Sequence, residues 1–233
     1  MENTMLNLSK FCWCILIFFA QVATVRAGEA FVFGSTNLIG FSDGVNIFGV
    51  YDAENEKFSC SFLFFGGEAD SSMIDDYKDT KVLTFVPGEE SLKFTDRSKF
   101  FDIPANLYRS GDEWVIRTKR SQAGCENAAG TFIFDIDDDR TEHYVVTNKI
   151  PAIGIRLVMN KSNLYDYENG RFVRRKGYLV NRNVVVSLRQ IGLFSFVRFI
   201  NPRIDTKNAG QVTTGWVRTE NLVNPFPEAV ESR

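Results

Sequence analysis

The sequence predicts an all-β protein, with a β-sandwich or barrel in its first half and a small barrel in its second half. Three observations lead to this fold class. Phenylalanine is unusually common, at 22 residues, and aromatic and β-branched residues favour strands. Short apolar segments, several with alternating polarity, recur along the chain. Turns rich in glycine and aspartate separate these segments at the spacing typical of sandwiches and barrels.

The first 27 residues have the layout of a secretory signal peptide. A basic start with Lys10 precedes an apolar run over residues 11–20 and a small-x-small exit at Val25-Arg26-Ala27. A buried helix or a membrane anchor is the alternative interpretation, but a run of about ten residues is shorter than the roughly 20 that span a bilayer. We therefore expect cleavage after Ala27, a periplasmic or secreted protein, and no integral membrane segment after cleavage.

Two cysteines, Cys60 and Cys125, remain after the predicted cleavage. An even pair in an oxidising compartment usually forms a disulfide. Closing so long a loop stabilises the fold by roughly 4 kcal/mol in the chain-entropy treatment. Free thiols or a metal site are the alternatives, but two cysteines and one histidine are too few for the four ligands of structural zinc. We expect the disulfide, and neither a metal ion nor a cofactor.

Charge is unevenly distributed along the chain. Residues 28–150 contain 22 acidic and 12 basic side chains, a difference of −10, whereas residues 151–233 contain 6 and 13, a difference of +7. The change of sign at Ile150-Pro151 predicts a boundary between a domain at 28–150 and one at 151–223, followed by a tail at 224–233. Either the two halves dock on each other, or the basic half binds an anionic partner such as a wall polymer or a membrane surface.

The first half is predicted to consist of short strands joined by turns, with room for one helical turn or a short helix around residues 71–78. The last two of these strands are expected to pair across the acidic turn between them. The predicted strands cover residues 30–33, 45–51, 58–65, 81–86, 114–118, 131–134 and 144–146.

The second half is predicted to form a small barrel, because it contains several short strands in close succession and barrel closure removes exposed edges. Residues 171–175 carry basic side chains on an exposed loop or strand. The predicted strands cover residues 155–158, 164–167, 178–180, 184–188, 194–199 and 215–217.

Four segments of the second half follow the pattern of one known domain type. They are Leu164-Tyr165, Tyr178-Leu179-Val180 before residues 184–188, Phe194-x-x-Val197, and Gly215-Trp216-Val217-x-x-x-x-Leu222. On these segments, residues 152–223 resemble a bacterial SH3-type domain, which implies an SH3-like barrel in this region. The family often has Trp where Phe194 stands, and an acidic residue after the glycine of the second turn, where this chain has Asn181-Arg182-Asn183.

Because such domains commonly bind cell-wall peptides or serve as accessory modules, the resemblance implies binding and not catalysis. The candidate binding residues are Tyr165, Tyr167, Phe194 and Trp216. Aromatic faces bind extended peptides or sugars by stacking and apolar contact. In a barrel of this size, however, Phe194 and Trp216 could instead belong to the core.

Catalytic groups are scarce, and we predict that the protein is not an enzyme. A Ser–His–Asp triad or a Cys–His dyad would have to use His143, which we interpret as a surface turn residue. The spacing of Asp135, Asp137 and Asp139 fits the start of a calcium loop, but Arg140 stands where that loop needs glycine, which favours a solvated turn. A weak calcium site of another type is the alternative. A hydrolase that uses two carboxylates of the acidic first half stays open as a third hypothesis.

The sequence therefore predicts an exported, non-enzymatic binding protein of the cell envelope. Its partner would be a cell-wall peptide or an envelope protein, and not a nucleic acid. The alternative is an inhibitor or immunity-type protein that acts against a lysozyme-like wall-degrading enzyme, since an acidic first half would suit a basic wall hydrolase. In that case the loop over residues 122–130, pinned by the disulfide, is a candidate partner-binding element.

Overall fold

The structure, a computed structural model, describes residues 28–228, and antiparallel strands in two sheets dominate this region. The predicted signal peptide, residues 1–27, lies outside the described residues. The all-β prediction is confirmed, since within residues 28–228 the one α-helix is the four-residue α1, Cys125–Ala128. No helix in this region is long and apolar enough to cross a bilayer.

The first sheet contains nine strands, eight of which close into a barrel, so the barrel alternative is confirmed for the first half. In chain order the strands are β1 Gly28–Phe33, β2 Leu38–Ser42, β3 Asn46–Glu54, β4 Ser59–Gly67, β5 Ser71–Ile74, β6 Tyr77–Phe85, β7 Ile103–Ser110, β8 Glu113–Thr118 and β9 Tyr144–Ala152. The barrel strands β1–β4 and β6–β9 each pair with the next along the chain, β4 with β6, and β9 closes the circle on β1. The short β5 pairs with β6 alone.

Aromatic side chains fill the barrel interior. The ring centroids of Tyr51, Phe62 and Phe132 lie 4.8 to 5.6 Å apart. Phe33 packs against Trp114, with ring centroids 5.1 Å apart. An eight-stranded barrel is just wide enough for side chains to fill its interior. The barrel is therefore built around a packed core.

Two local predictions for the first half are wrong. Residues 131–134 are not a strand, because Phe132 is buried inside the barrel while its carbonyl accepts a hydrogen bond from the Thr118 amide at 2.6 Å. Consequently β9 pairs with β8 and β1, and not with this segment. Residues 71–78 contain β5, a turn and the start of β6 in place of a helical turn. Asp75 has a φ of 50° there, which a right-handed helix does not accommodate.

The second sheet is a curled half-barrel of seven strands. They are β10 Gly154–Val158, β11 Ser162–Glu168, β12 Arg171–Leu179, β13 Val184–Ile191, β14 Phe194–Ile200, β15 Val212–Arg218 and β16 Leu222–Val223. Their order across the sheet is β12-β11-β15-β14-β13-β10-β16. One face of this sheet buries the small apolar cluster Val158, Leu164, Leu179, Val185, Val197 and Val217.

The two sheets pack through an apolar interface. No ion pair within 4.0 Å joins the two sheets in the part of the chain that the structure describes. The basic side chains of the second half are thus not neutralised by contact with the acidic barrel. The interface cluster includes Ile39, Phe41 and Leu63 from the barrel and Ile155, Leu157 and Val186 from the second sheet.

Candidate binding face

The hairpin formed by β11 and β12 begins the candidate site. Its turn residues Asn169 and Gly170 both have positive φ, at 51° and 78°. Two positive φ values define a type I′ turn, for which Asn-Gly is a preferred pair because its twist matches that of the flanking strands. The turn sets a register in which Tyr167 lies opposite Phe172. Residues opposite each other project from the same face of a hairpin.

Six aromatic side chains from four strands of the second sheet form one continuous cluster, which we call the aromatic face. The ring centroids are 5.1 Å apart for Tyr165 and Phe194 and 6.0 Å apart for Tyr167 and Trp216. Tilted and edge-on geometries of this kind are the favoured ones for aromatic pairs. The face consists of Tyr165, Tyr167, Phe172, Phe194, Phe196 and Trp216.

All four aromatic residues predicted from the sequence lie in this cluster. Tyr165 and Trp216 are also direct partners between β11 and β15. Their accessibility differs, however. Trp216 is only 3% exposed, whereas Tyr167 is 44% exposed. Trp216 therefore forms the floor of the face, and Tyr167 is available to a partner.

Two residues of the aromatic face, Phe172 and Phe196, were not among the sequence-based candidates. Both left a signal in the sequence. Phe194-x-Phe196 has the alternation that puts two side chains on one face of a strand. An Asn-Gly turn between Glu168 and Arg171 sets Phe172 opposite Tyr167 once the hairpin register is assigned.

Arginine side chains border the aromatic face. The guanidinium of Arg189 lies 4.8 Å from the ring centroid of Phe196 and 5.2 Å from that of Trp216. Arg218 lies 5.7 Å from the ring of Phe194. These distances are within the range of cation–π attraction. Since a guanidinium stays protonated in proteins, the face combines apolar surface with fixed positive charge.

The arginines differ in their acidic neighbours. Arg218 has the Glu220 carboxylate at 3.6 Å, whereas Arg189 has no carboxylate within 4.0 Å among residues 28–228. On the adjoining β14, burial lowers the pKa of the Arg198 guanidinium. An anionic group placed on this face would therefore meet positive charge that the protein itself does not compensate at Arg189.

The predicted disulfide is confirmed by geometry, because the sulfur atoms of Cys60 and Cys125 lie 2.04 Å apart. The bond ties α1 to the barrel strand β4. The side chain of Gln122, buried at the start of the same loop, donates a hydrogen bond to the Thr84 hydroxyl. Glu126 remains exposed. The loop over residues 122–130 is thus anchored at two points.

His143 belongs to a polar cluster on the barrel. Its Nδ1 lies 2.9 Å from Glu113 Oε1, and the Tyr77 hydroxyl donates to the same oxygen at 2.5 Å. The hydrogen bond from Tyr77 makes the largest contribution to lowering the pKa of Glu113, and the hydrogen bond with His143 makes the next largest. No serine or cysteine within residues 28–228 is hydrogen-bonded to His143. The absence of enzymatic activity stays a prediction.

Two aspartates of the acidic run over residues 135–139 form ion pairs with arginines. Asp135 pairs with Arg117 at 2.8 Å, and Asp138 pairs with Arg140 at 2.7 Å. Within residues 28–228, no three side chains of the His, Cys, Asp or Glu type are grouped so that they could hold a metal ion.

Comparison with known proteins found no matching family model, no matching curated protein and no matching solved structure.

Proposed function

We propose that this protein is an exported, non-enzymatic binding protein of the cell envelope, and that residues 152–223 form an SH3-like domain. Two features of the second sheet support the domain assignment. Strand β10 pairs with both β13 and β16, which brings the start and the end of the region together within one curled, open sheet. A 3₁₀ turn at Thr219–Asn221 leads from β15 directly into β16.

The observation that carries the proposed function is the aromatic face with its arginine border. Rings that are partly exposed and held by their neighbours offer stacking surface at little cost in conformational entropy. Arg189 adds a guanidinium that can form paired hydrogen bonds with a carboxylate. An extended peptide with acidic groups fits both properties, and we propose a cell-wall peptide or a wall-associated protein as the partner.

The experiment is sedimentation of the full chain with purified cell wall. We expect Tyr167→Ala and Arg189→Ala each to lower the apparent affinity about tenfold, which corresponds to roughly 1.4 kcal/mol. Phe100→Ala is the matched control, because Phe100 is 76% exposed and lies on the barrel half, outside the aromatic face. Equal sedimentation of all four proteins would contradict the assignment of this face.

The alternative is inhibition of a wall-degrading enzyme. It is favoured by the acidic balance of residues 28–150, with 22 acidic against 12 basic side chains, because such a surface attracts a basic enzyme. The same protein preparation should be assayed against a panel of lysozymes. Inhibition without sedimentation on wall supports the alternative, and sedimentation without inhibition supports the aromatic face.

A further inference from the structure

A cleft opens where the outer surface of the barrel meets the start of the second sheet. Its volume is about 440 Å³, within the range of small-molecule sites, which favour domain interfaces and apolar walls. Phe41, Phe48 and Phe65 line it from the barrel, and Phe226 lines it from the segment after β16. The rings of Phe48 and Phe226 are in edge contact, with centroids 5.0 Å apart. The wall of the cleft is therefore largely aromatic.

One cationic side chain, Arg156, lines this aromatic cleft. Its Nη1 donates one hydrogen bond, to the carbonyl of Ile155 at 2.8 Å. Within residues 28–228 no carboxylate oxygen lies within 4.0 Å of its guanidinium. Burial lowers the pKa of Arg156, and no acidic group offsets this effect. A guanidinium has five donor hydrogens, and desolvating it without an anion is unfavourable.

Two acidic side chains line the cleft, Asp43 and Glu228, and neither forms an ion pair with Arg156 within 4.0 Å. Asp43 accepts hydrogen bonds from the amides of Val45 and Asn46 at 2.8 and 2.7 Å. Its second oxygen lies 3.3 Å from the side-chain amide of Asn46. Asp43 therefore stabilises its own turn between β2 and β3 and is not available to neutralise Arg156.

The backbone at Gly154 makes room for the arginine. Gly154 has a φ of 147°, and a Cβ atom built there would lie 2.7 Å from Nη1 of Arg156. A side chain at this position would displace the guanidinium from where it lies. Glycine therefore serves a local purpose, which is to let the arginine pack along its own strand at the edge of the cleft.

We propose that this cleft binds a small molecule with an apolar body and a single carboxylate, and that Arg156 pairs with the carboxylate. The phenylalanine walls would cover the apolar body. The carboxylate would supply the counter-charge that the protein does not provide. This site is separate from the aromatic face, so the proposal does not depend on the proposed function.

The test measures binding of decanoate to the full chain by titration calorimetry, with decanol as the uncharged counterpart. We expect decanoate to bind at least tenfold more tightly than decanol. Arg156→Met should abolish that preference while leaving decanol affinity unchanged, because methionine retains the apolar bulk. Arg171→Met, a substitution at an exposed position on β12, is the control and should bind both ligands like the unmodified chain.

A second measurement separates binding from folding. The midpoint of thermal unfolding without ligand should not fall in Arg156→Met, because the substitution removes a desolvated charge. The rise in that midpoint on adding decanoate should be lost. No decanoate binding at millimolar concentration, equal affinity for decanol, or binding that appears only after residues 229–233 are deleted would each overturn the proposal. The last result would mean that the chain's own C-terminal segment occupies the cleft.

Discussion

Phe172 stacks on Phe194, with ring centroids 3.9 Å apart and ring planes inclined by 16°. The two residues lie on β12 and β14, which are separated in the sheet by β11 and β15. In a flat sheet three strand spacings of about 4.8 Å would hold them roughly 14 Å apart. The hairpin β11–β12 must therefore bend over the face of β14 and β15.

This bend explains how the aromatic face is assembled. A single pair of opposed residues, Tyr165 and Trp216, connects β11 to β15. The register between β11 and β12 also shifts between Asn163 and Tyr165, and such irregularities bend and twist a strand. Besides this pairing, the rings hold the hairpin in its bent position together with Leu164 and Leu179 of the apolar cluster and with Arg175, which donates a hydrogen bond to the Thr214 carbonyl on β15. The aromatic face and the fold of the hairpin should thus respond together to mutation.

Phe172→Ala tests this coupling. We expect Trp216, now 3% exposed, to become accessible to acrylamide, whereas Trp114 inside the barrel stays protected. The free energy of unfolding should fall by about 1–3 kcal/mol, less than for a fully buried phenylalanine. Trp114→Phe in the same background, in a chain that begins at Gly28 and so lacks Trp13, would isolate the Trp216 signal. Unchanged quenching of Trp216 would show that the stack does not hold the hairpin.

Removing the disulfide should destabilise the barrel. The bond closes a loop with a sequence separation of 65, for which the chain-entropy treatment gives about 4 kcal/mol. Urea unfolding of the oxidised chain and of Cys60→Ala/Cys125→Ala should differ by about that amount. Reduction of the unmodified chain should lower its stability similarly. A midpoint that does not respond to either change would mean that packing alone holds α1 against β4.

Asp52 should make stability fall as pH rises. Burial first, and then the Glu54 charge, raise the pKa of Asp52 to about 7, against the opposing hydrogen bond from Ser61. Its Oδ1 is buried without a hydrogen-bond partner. The folded state therefore holds a proton that the unfolded chain releases at about pH 4, so the free energy of unfolding declines between about pH 4 and 7.

Asp52→Asn removes this titration. The variant should match the unmodified chain near pH 4 and exceed its stability at pH 8 by up to about 4 kcal/mol, from a shift of about three pH units. Urea midpoints at both pH values measure the difference. Asp75→Asn, an exposed substitution, is the control and should show no such gain. A constant difference between Asp52→Asn and the unmodified chain at both pH values would contradict the assignment.

Glu68 should have the opposite pH dependence. Burial would raise the pKa of Glu68, but the hydrogen bonds and charges of Arg109 and Lys78 outweigh it, so the pKa is lowered. Arg109 donates to both carboxylate oxygens, at 2.9 and 2.7 Å. The ionised form thus contributes stability above the unfolded pKa of about 4.3, and this contribution is lost as the pH falls through the lower folded value.

Glu68→Gln should cost about 1–3 kcal/mol at pH 7, as expected for hydrogen bonds to a charged group. The cost should shrink below pH 4, where the unmodified carboxylate also becomes protonated. Lys78→Met should cost less, because the Lys78 side chain is 42% exposed and exposed pairs contribute little. Denaturation of both variants at pH 7 and pH 3 would measure these costs. An equal cost of Glu68→Gln at the two pH values would show that the ion pair does not stabilise the fold.

Strand prediction succeeded where a β-branched run or alternating apolar residues marked the strand, and it failed where an apolar residue had another role. Val184 to Leu188 and Phe194 to Phe199 lie in β13 and β14 as expected. Phe132, in contrast, lies in a segment without a strand, and its apolar side chain is buried in the core of the barrel. Strands β2 and β7 were not predicted. Their sequences, LIGFS and IPANLYRS, contain glycine or proline, and both residues weaken a strand pattern.

The candidate site was predictable in part for a related reason. The resemblance of residues 152–223 to an SH3-type domain was enough to select Tyr165, Tyr167, Phe194 and Trp216. Predicting Phe172 as part of the aromatic face would have required the position of the bent hairpin, because its contact with Phe194 crosses two intervening strands. The cleft around Arg156 required the docking of one sheet on the other. No periodicity within a single segment carries that information.

Binding at the aromatic face can be observed by an NMR titration of the isotope-labelled chain with a soluble cell-wall peptide. If the peptide binds there, the largest shifts of amide resonances will occur in β11, β12, β14 and β15, around Tyr167 and Trp216. Shifts confined to the barrel strands, or no shift at millimolar peptide, would contradict binding at this face.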